Sequence, residues 1–348
     1  MPWGKLMTIN LVWCQSIWEA DWIRDLFGST DFIERQSPAL DFFADDSVYV
    51  LSRPGPLTQM PRSFVEGLSR IRGKLLFHLS DETFCGGYEF YRHFDGVIRN
   101  YYISLLDCPG ILTVPLGYAN GQRGSGDLIA ASKRGALWGF TGSVNPDRQA
   151  MLAAFRTVEP NHCHVYENKW GQVQDRRTRD ATAYQAMLAD CVFIPCPMGN
   201  TTPDTMRPYE ALEWGAIPIV RRRPLIDYFS ALMPGHPLPT FLHWSDARDF
   251  VAAMAPDKNR LDRLQAEVSH WWTTYKATLR RRVSDFVGAA QASATGTPAL
   301  ADWSFRTDFV FQARRISELI RHSTLGSLKE RAAITMSRIG AGLRRQGR

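Results

Sequence analysis

No stretch of this chain stays apolar for the roughly 18 residues that a bilayer-spanning helix requires. The six cysteines, Cys14, Cys85, Cys108, Cys163, Cys191 and Cys196, are scattered and include no CxxC pair. That spacing argues against a dithiol redox motif or a zinc ribbon and is the pattern of reduced, mostly buried thiols. The opening residues, MPWGKLMTINLVWCQSIWEADW, lack the basic start, long apolar stretch and small-residue cleavage site of a secretory signal. These absences together predict a cytoplasmic protein. No HExxH helix and no GxSxG elbow occurs, so zincin and α/β-hydrolase chemistry have no anchor here. The glycine-rich run GQRGSG from Gly121 lacks the Lys-Ser/Thr sequel of a phosphate loop and reads as a linker.

The chain is 348 residues long, which fits two domains better than one core. With 45% hydrophobic and 22% charged residues it has the composition of a folded protein. The net charge of +6 is concentrated at one end. From His322 to Arg348 six basic residues (Lys329, Arg331, Arg338, Arg344, Arg345, Arg348) face one acid, Glu330, a net of +5. In the same tail Leu325, Leu328, Ala332, Met336, Ile339 and Leu343 recur at helical spacing. A basic amphipathic helix of this kind lies on an anionic membrane surface or docks on a partner. The basic residues are not interleaved with exposed aromatics in any recognised module, so no nucleic-acid partner is expected. A nucleic-acid-associated role carried by this tail is the competing class.

Short apolar runs alternate with helical stretches. Strands are predicted at Ser47–Leu51, Lys74–Leu79, Gly96–Arg99 and Thr113–Leu116, with a helix at Phe64–Arg72. After the glycine-rich run the pattern restarts. Strands are predicted at Ala136–Thr141, Cys163–Tyr166, Cys191–Pro195 and Ile217–Val220, with another at Phe241. Helices are predicted at Asp147–Phe155, Thr182–Ala189, Tyr209–Trp214, Ser245–Met254, Asn259–Val287 and Phe305–Arg321. This is an α/β chain with two successive parallel sheets.

The segment Tyr184–Val220 concentrates the chemistry. A helix leads into a strand, and past the strand's carboxyl end comes PMGNTTPD, rich in turn formers and small hydroxyl residues. A helix then starts near Arg207 and carries Glu210. In open parallel sheets ligands sit outside the carboxyl ends of strands, and a helix start there offers free N–H groups to an anion. Arg207 in the first turn opposes the helix dipole and can grip a diphosphate with two parallel hydrogen bonds. Glu210, one turn on, lies on the same face and can accept from ribose hydroxyls. The same spacing equally serves a surface ion pair.

This segment resembles the donor-site signature of exostosin-like glycosyltransferases on Pro197, Gly199, Asn200, Thr201, Thr202, Arg207, Glu210, Ala211, Gly215, Ile217, Pro218 and Ile219. LWGFTGSVNPDR (Leu137–Arg148), Pro239–Phe250 and Trp271–Val283 also fit that family. HLSDE (His78–Glu82), RNYY (Arg99–Tyr102) and VPLGY (Val114–Tyr118) resemble its ribitol-phosphate β-xylosyltransferase branch. The resemblance covers residues 70 to 285. It implies a GT-B fold, two facing Rossmann-like domains with a C-terminal helix crossing back. The implied layout is an acceptor-side domain over residues 1–130, a nucleotide-sugar domain over 131–300, a returning helix over 301–321 and the basic tail over 322–348. It implies an inverting transfer from a UDP-sugar to a glycan or polyol-phosphate hydroxyl, without a metal or other cofactor. The second half carries no DxD between its strands, which agrees with metal-independent transfer. Family members from animal cells carry an N-terminal membrane anchor that has no counterpart here, so a bacterial cytosol, at the inner face of the membrane, is the expected setting. A non-catalytic sugar-binding partner subunit is the alternative within the resemblance.

An inverting transfer needs one base in the first domain, across a cleft from the donor. The loop after the strand Lys74–Leu79 offers Glu82 and Asp81, and Glu82 has the counterpart in the resembled branch; both residues also suit helix capping. Arg99, Asn100, Gly117 and Tyr118 follow other strands and are candidate acceptor contacts. Gly142 and Ser143 can approach the diphosphate through backbone N–H groups, with Arg148 a turn beyond. If the tail is a membrane helix, the full chain sediments with anionic vesicles and a chain ending at 321 does not. Equal sedimentation of both, or no preference over neutral vesicles, contradicts that reading.

Overall fold

The computed structural model describes residues 8–52, 60–82, 84, 88–124, 128–166, 181–199 and 202–292. The expected returning helix and basic tail, at 301–348, lie outside the described residues.

The first sheet contains six strands: β1 (Ile9–Trp13), β2 (Phe32–Gln36), β3 (Ser47–Ser52), β4 (Leu75–Leu79), β5 (Gly96–Arg99) and β6 (Ile111–Thr113). All pairings are parallel, in the order β2-β1-β3-β4-β5-β6. Helix α1 (Ala20–Leu26) follows β1, and α2 (Arg62–Leu68) lies between β3 and β4. The second sheet contains β7 (Ala136–Ser143), β8 (Asn161–Tyr166), β9 (Cys191–Cys196), β10 (Ile217–Arg221) and β11 (Thr240–Phe241). It too is parallel, in the order β11-β10-β9-β7-β8. Its helices are α3 (Pro146–Phe155), α4 (Ala181–Asp190), α5 (Met206–Glu213), α6 (Tyr228–Leu232) and α7 (Trp244–Met254), and α8 (Lys258–Ala292) closes the described chain. The architecture is the two-sheet α/β arrangement expected from the sequence. Among the described residues no helix is long and apolar enough to cross a membrane.

Strands buried on both faces read as unbroken apolar runs. Leu75–Leu79 and Cys191–Cys196 are buried at every position, which is why their sequence pattern is plain. β2 is an edge strand, FIERQ, exposed along most of its length, and its charge hides it from an apolar-run reading. The strand predicted at Thr113–Leu116 is instead Ile111–Thr113. Pro115 has no N–H to give a ladder, so pairing stops near Val114, whose N–H still donates to the Arg99 carbonyl.

In each sheet the chain order reverses once, between β1 and β3 and between β7 and β9. Ligands of open parallel sheets bind outside the carboxyl ends of the strands at such reversals. The two carboxyl edges meet: the Tyr102 N–H, three residues past β5, donates to the Tyr228 hydroxyl at 2.9 Å.

The long helix α8 ties the sheets together. Near its start the Gln265 amide accepts from the Ala131 N–H and donates to the Ile129 and Gly215 carbonyls. Further along, the Trp272 indole and Lys276 bond the Glu213 carboxylate of α5 at 2.7 and 2.5 Å. Beyond that Arg280 pairs with the Asp25 carboxylate of α1, and Phe286 packs over Gly96 of β5. The helix therefore crosses from the second sheet to the first.

The junction explains two residues expected to face an acceptor. The Tyr118 hydroxyl donates to Asp25 at 3.1 Å, and its ring meets Trp22 edge-on at 5.4 Å. Trp22 stacks on Trp272 at 6.0 Å. Gly117 has φ +79°, and a Cβ there would stand 2.2 Å from the Trp22 ring. Both residues build the junction rather than a cleft wall. The presumed linker is also packed: Gly121 bonds Asp21 and Gln185, and Gln122 accepts from the Trp214 indole.

Gly117→Ala and Gly121→Ala separate two costs. Gly121 has φ +73° with nothing within 4 Å of an added Cβ, so its replacement carries the backbone penalty of about 1–2 kcal/mol. Gly117→Ala adds an overpacking cost of about 1–3 kcal/mol against Trp22. Urea denaturation is expected to show the larger loss for Gly117→Ala; equal losses would contradict the packing described.

Candidate functional site

The second sheet's reversal is lined by the loops after β7 and β9. The Asn145 side chain caps α3 by accepting from the Arg148 N–H at 2.9 Å. Its amide also donates to the Met198 and Gly199 carbonyls at 3.2 and 3.1 Å. The Met198 N–H donates to Asp147 at 2.8 Å, and the same buried carboxylate takes Arg221 and the Trp244 indole. These bonds stitch the two loops into one rigid edge.

Two guanidinium groups lie at that edge, near enough for each to feel the other's charge. Arg148 stands in the first turn of α3 and donates to the Ser143 carbonyl and hydroxyl at 2.9 and 3.0 Å. Arg207 stands in the first turn of α5 and donates to the Thr141 carbonyl at 2.7 Å, its guanidinium 4.4 Å from the Phe140 ring centre. A Cβ on Gly142 would come within 3.0 Å of the Arg207 guanidinium, so glycine leaves the room that arginine occupies. Burial, together with the neighbouring Arg207 charge, pulls the Arg148 pKa down to about 10. Neither arginine has a carboxylate within 4 Å among the described residues, and the Nε of each is buried without a partner. Both cations thus oppose a helix dipole and repel each other. Guanidinium groups at helix starts have the chemistry to take an anion.

The ion-pair alternative for Arg207 and Glu210 is not what forms. Glu210 is 6% exposed and accepts from the Tyr184 hydroxyl at 2.7 Å, with the Ala119 amide turned toward it. Burial raises its pKa, while Tyr184 and the Arg207 charge act the other way. The carboxylate keeps acceptor capacity for a ribose hydroxyl but already joins α4 to the segment leaving the first sheet. Pro197 is buried beside this edge. The Gly199 N–H bonds the Thr202 carbonyl, and the buried Thr202 hydroxyl donates to the Asp204 carbonyl, so Thr202 shapes the turn. Asn200 and Thr201 lie outside the described residues.

On the first sheet the register pairs His78 with Arg99, which brings the ends of β4 and β5 together. Arg99 is wholly buried. It donates to Asp81 at 3.0 Å and to the Tyr91 hydroxyl at 3.0 Å, and the Tyr88 hydroxyl also donates to Asp81 at 2.7 Å. Asp81 and Arg99 are therefore partners in a buried ion pair, neither a free base nor a cleft contact. Asn100 is wholly buried too, and its amide finds no hydrogen-bond partner among the described residues. Glu82 is half-buried in the turn beyond, with its charge on the Tyr101 phenol. Ser80 and Tyr101 hold φ +60° and +62°, so both strand ends turn sharply at this edge.

Three acidic or basic residues gave no sign of themselves in the sequence. Glu19 follows β1 at the first sheet's reversal, is 5% exposed, and burial raises its pKa; an isolated glutamate before a short helix makes no pattern. Arg223 lies in a run of three arginines. Asp204 precedes α5 and accepts from the Tyr209 and Tyr228 hydroxyls at 2.6 and 3.0 Å, with the Leu116 amide turned toward it. Because Tyr228 also takes the Tyr102 N–H, Asp204 anchors the contact between the two edges.

No family model and no curated protein matches this chain. Solved structures with a similar layout are those of an α1,3-fucosyltransferase, of HepE from Anabaena in complex with UDP-glucose, and of the glycosyltransferase SnogD from Streptomyces nogalater. The fucosyltransferase is 13% identical, with 85% of this chain and 93% of that one covered and a TM-score of 0.48. HepE is 10% identical over 81% of this chain and 100% of its own, with a TM-score of 0.48. SnogD is 12% identical over 82% and 100%, with a TM-score of 0.37. Likenesses this distant carry no functional weight; the site's own geometry does. Among the described residues no group of three His, Cys, Asp or Glu side chains is placed to hold a metal ion.

Burial pushes the Asp204 carboxyl up to about 7, against the pull of its three donors. A group whose pKa rises on folding from about 4 contributes stability that is complete below the unfolded value and lost as pH climbs through the folded one. Between pH 5 and 8 the wild-type Tm should therefore fall more steeply than that of Asp204→Asn, which keeps an acceptor and cannot ionise. Parallel Tm profiles would contradict a buried, protonating Asp204.

Proposed function

We propose that this chain is an inverting glycosyltransferase. Its donor would be a nucleotide-diphosphate sugar, UDP-linked by preference, and its acceptor a hydroxyl of a glycan or polyol phosphate. The observation that carries the reading is the pair Arg148 and Arg207, two half-buried neighbouring cations, each with a buried, unpartnered Nε and no carboxylate within 4 Å among the described residues, at the reversal of the second sheet. They stand where the exostosin-like resemblance puts the donor diphosphate. Xylose is the donor sugar implied by the resembled branch, and work in the cytoplasm at an anionic membrane surface is the setting that the basic tail supports.

In the transfer the acceptor oxygen attacks the anomeric carbon as the bond from that carbon to the diphosphate oxygen breaks. The acceptor proton passes to a carboxylate of the first sheet, and Glu82 is the proposed base. Charge moves onto the departing diphosphate, where the half-buried Arg148 and Arg207 neutralise it. Neutralisation by fixed guanidinium groups is the role that a metal ion plays in other transferases, so the proposed reaction is metal-independent. Ser143 holds Arg148 in place and Gly142 makes room for Arg207.

Two variants test this. Arg207→Ala should weaken UDP binding by about 10- to 100-fold, the loss of one charged hydrogen-bond pair. Glu82→Gln should lower transfer by about 100-fold or more with UDP affinity nearly unchanged. Near-normal turnover in Glu82→Gln moves the base to Glu19, a buried carboxylate of the same edge that has no ion-pair partner among the described residues. Undiminished UDP binding in Arg207→Ala would overturn the donor assignment.

A further inference from the structure

The run Arg221-Arg222-Arg223 leaves β10 beside the donor loops, and its three side chains have different fates. Arg221 is neutralised by Asp147, and Arg222 is exposed. Arg223 is 5% exposed, yet no carboxylate lies within 4 Å of it among the described residues. Its guanidinium donates to the Met198 thioether sulfur, a weak acceptor. Met198 sits between Pro197 and Gly199, and its carbonyl is one of the two that Asn145 grips, so Arg223 reaches the donor turn itself. Burial lowers the Arg223 pKa, with Asp147 opposing and Arg221 adding to the fall.

A buried cation without a counter-charge is among the costlier features a fold can hold. The charges around this edge do not balance. Arg148, Arg207, Arg221 and Arg223 bring four positive charges, and Asp147 and Glu210 bring two negative ones. The remainder of +2 matches the two charges on the diphosphate of a nucleotide-sugar.

We propose that Arg223 is a third phosphate-binding arginine, reaching the donor diphosphate from the loop after β10 once the Met198 side chain yields to a stronger acceptor. This rests on the donor reading above and adds a residue that neither the motif nor the resemblance contains. It also assigns Arg223 a sign that a structural arginine would not have: without ligand it burdens the fold, and with ligand it secures it.

The test uses the full chain, with titration calorimetry against UDP, UMP and inorganic pyrophosphate and thermal melting without ligand. Arg223→Met should weaken UDP and pyrophosphate by about tenfold or more, as expected for one charged contact, and UMP by less. Its ligand-free Tm should stay level or rise, because an unpaired buried charge has gone. Arg223→Lys should recover part of the UDP affinity. The proposal falls if Arg223→Met lowers the ligand-free Tm and binds UDP and pyrophosphate as the wild type does. A wild type that binds pyrophosphate but no nucleoside diphosphate, with pyrophosphate lost in Arg223→Met, sustains the anion site and rejects the transferase reading. A wild type that binds none of the three overturns both.

Discussion

Uncompensated positive charge at the carboxyl edge of the second sheet is the constraint that gives this structure its meaning. Arg148 and Arg207 each begin a helix whose dipole resists them, and each raises the cost of the other. The fold holds them there by over-determining their surroundings. The Asn145 and Asp147 side chains lock the loop after β7 to the loop after β9, and the Ser143 and Thr141 carbonyls fix the two guanidinium groups. Donors held in place this way need no reorganisation when a negative charge arrives.

The junction holds the carboxyl edge of the second sheet against that of the first. Helix α8 binds the second sheet through Gln265 and Trp272 and the first through Arg280 and Phe286. Trp22, Tyr118 and Trp272 fill the space between, under Gly117. At the carboxyl edges, Tyr102, Tyr228 and Asp204 form a chain of hydrogen bonds from the end of β5 to the start of α5. The buried Arg99–Asp81 pair stiffens the ends of β4 and β5 just behind Glu82. Electrostatics that would be weak on a surface act here among groups removed from water.

Much of this was legible in the sequence because the signals were local. Strands such as Leu75–Leu79 are buried on both faces, and an arginine at a helix start after a turn-rich loop is an oddity visible in the sequence alone. What stayed hidden depends on tertiary pairing. Asp81 looks like a candidate base until the β4–β5 register sets Arg99 beside it. Gly117 and Tyr118 follow a strand, as cleft residues do, but the distant Trp22 and Asp25 claim them. Three consecutive arginines cannot reveal which one is buried, and an edge strand such as FIERQ carries charge where an interior strand carries apolar residues.

The position of a bound diphosphate decides the matter most directly. A crystal structure with UDP is expected to place both phosphates within hydrogen-bond reach of Arg148 and Arg207, at the ends of β7 and β9. UDP bound elsewhere, with those two guanidinium groups left untouched, would contradict the central claim.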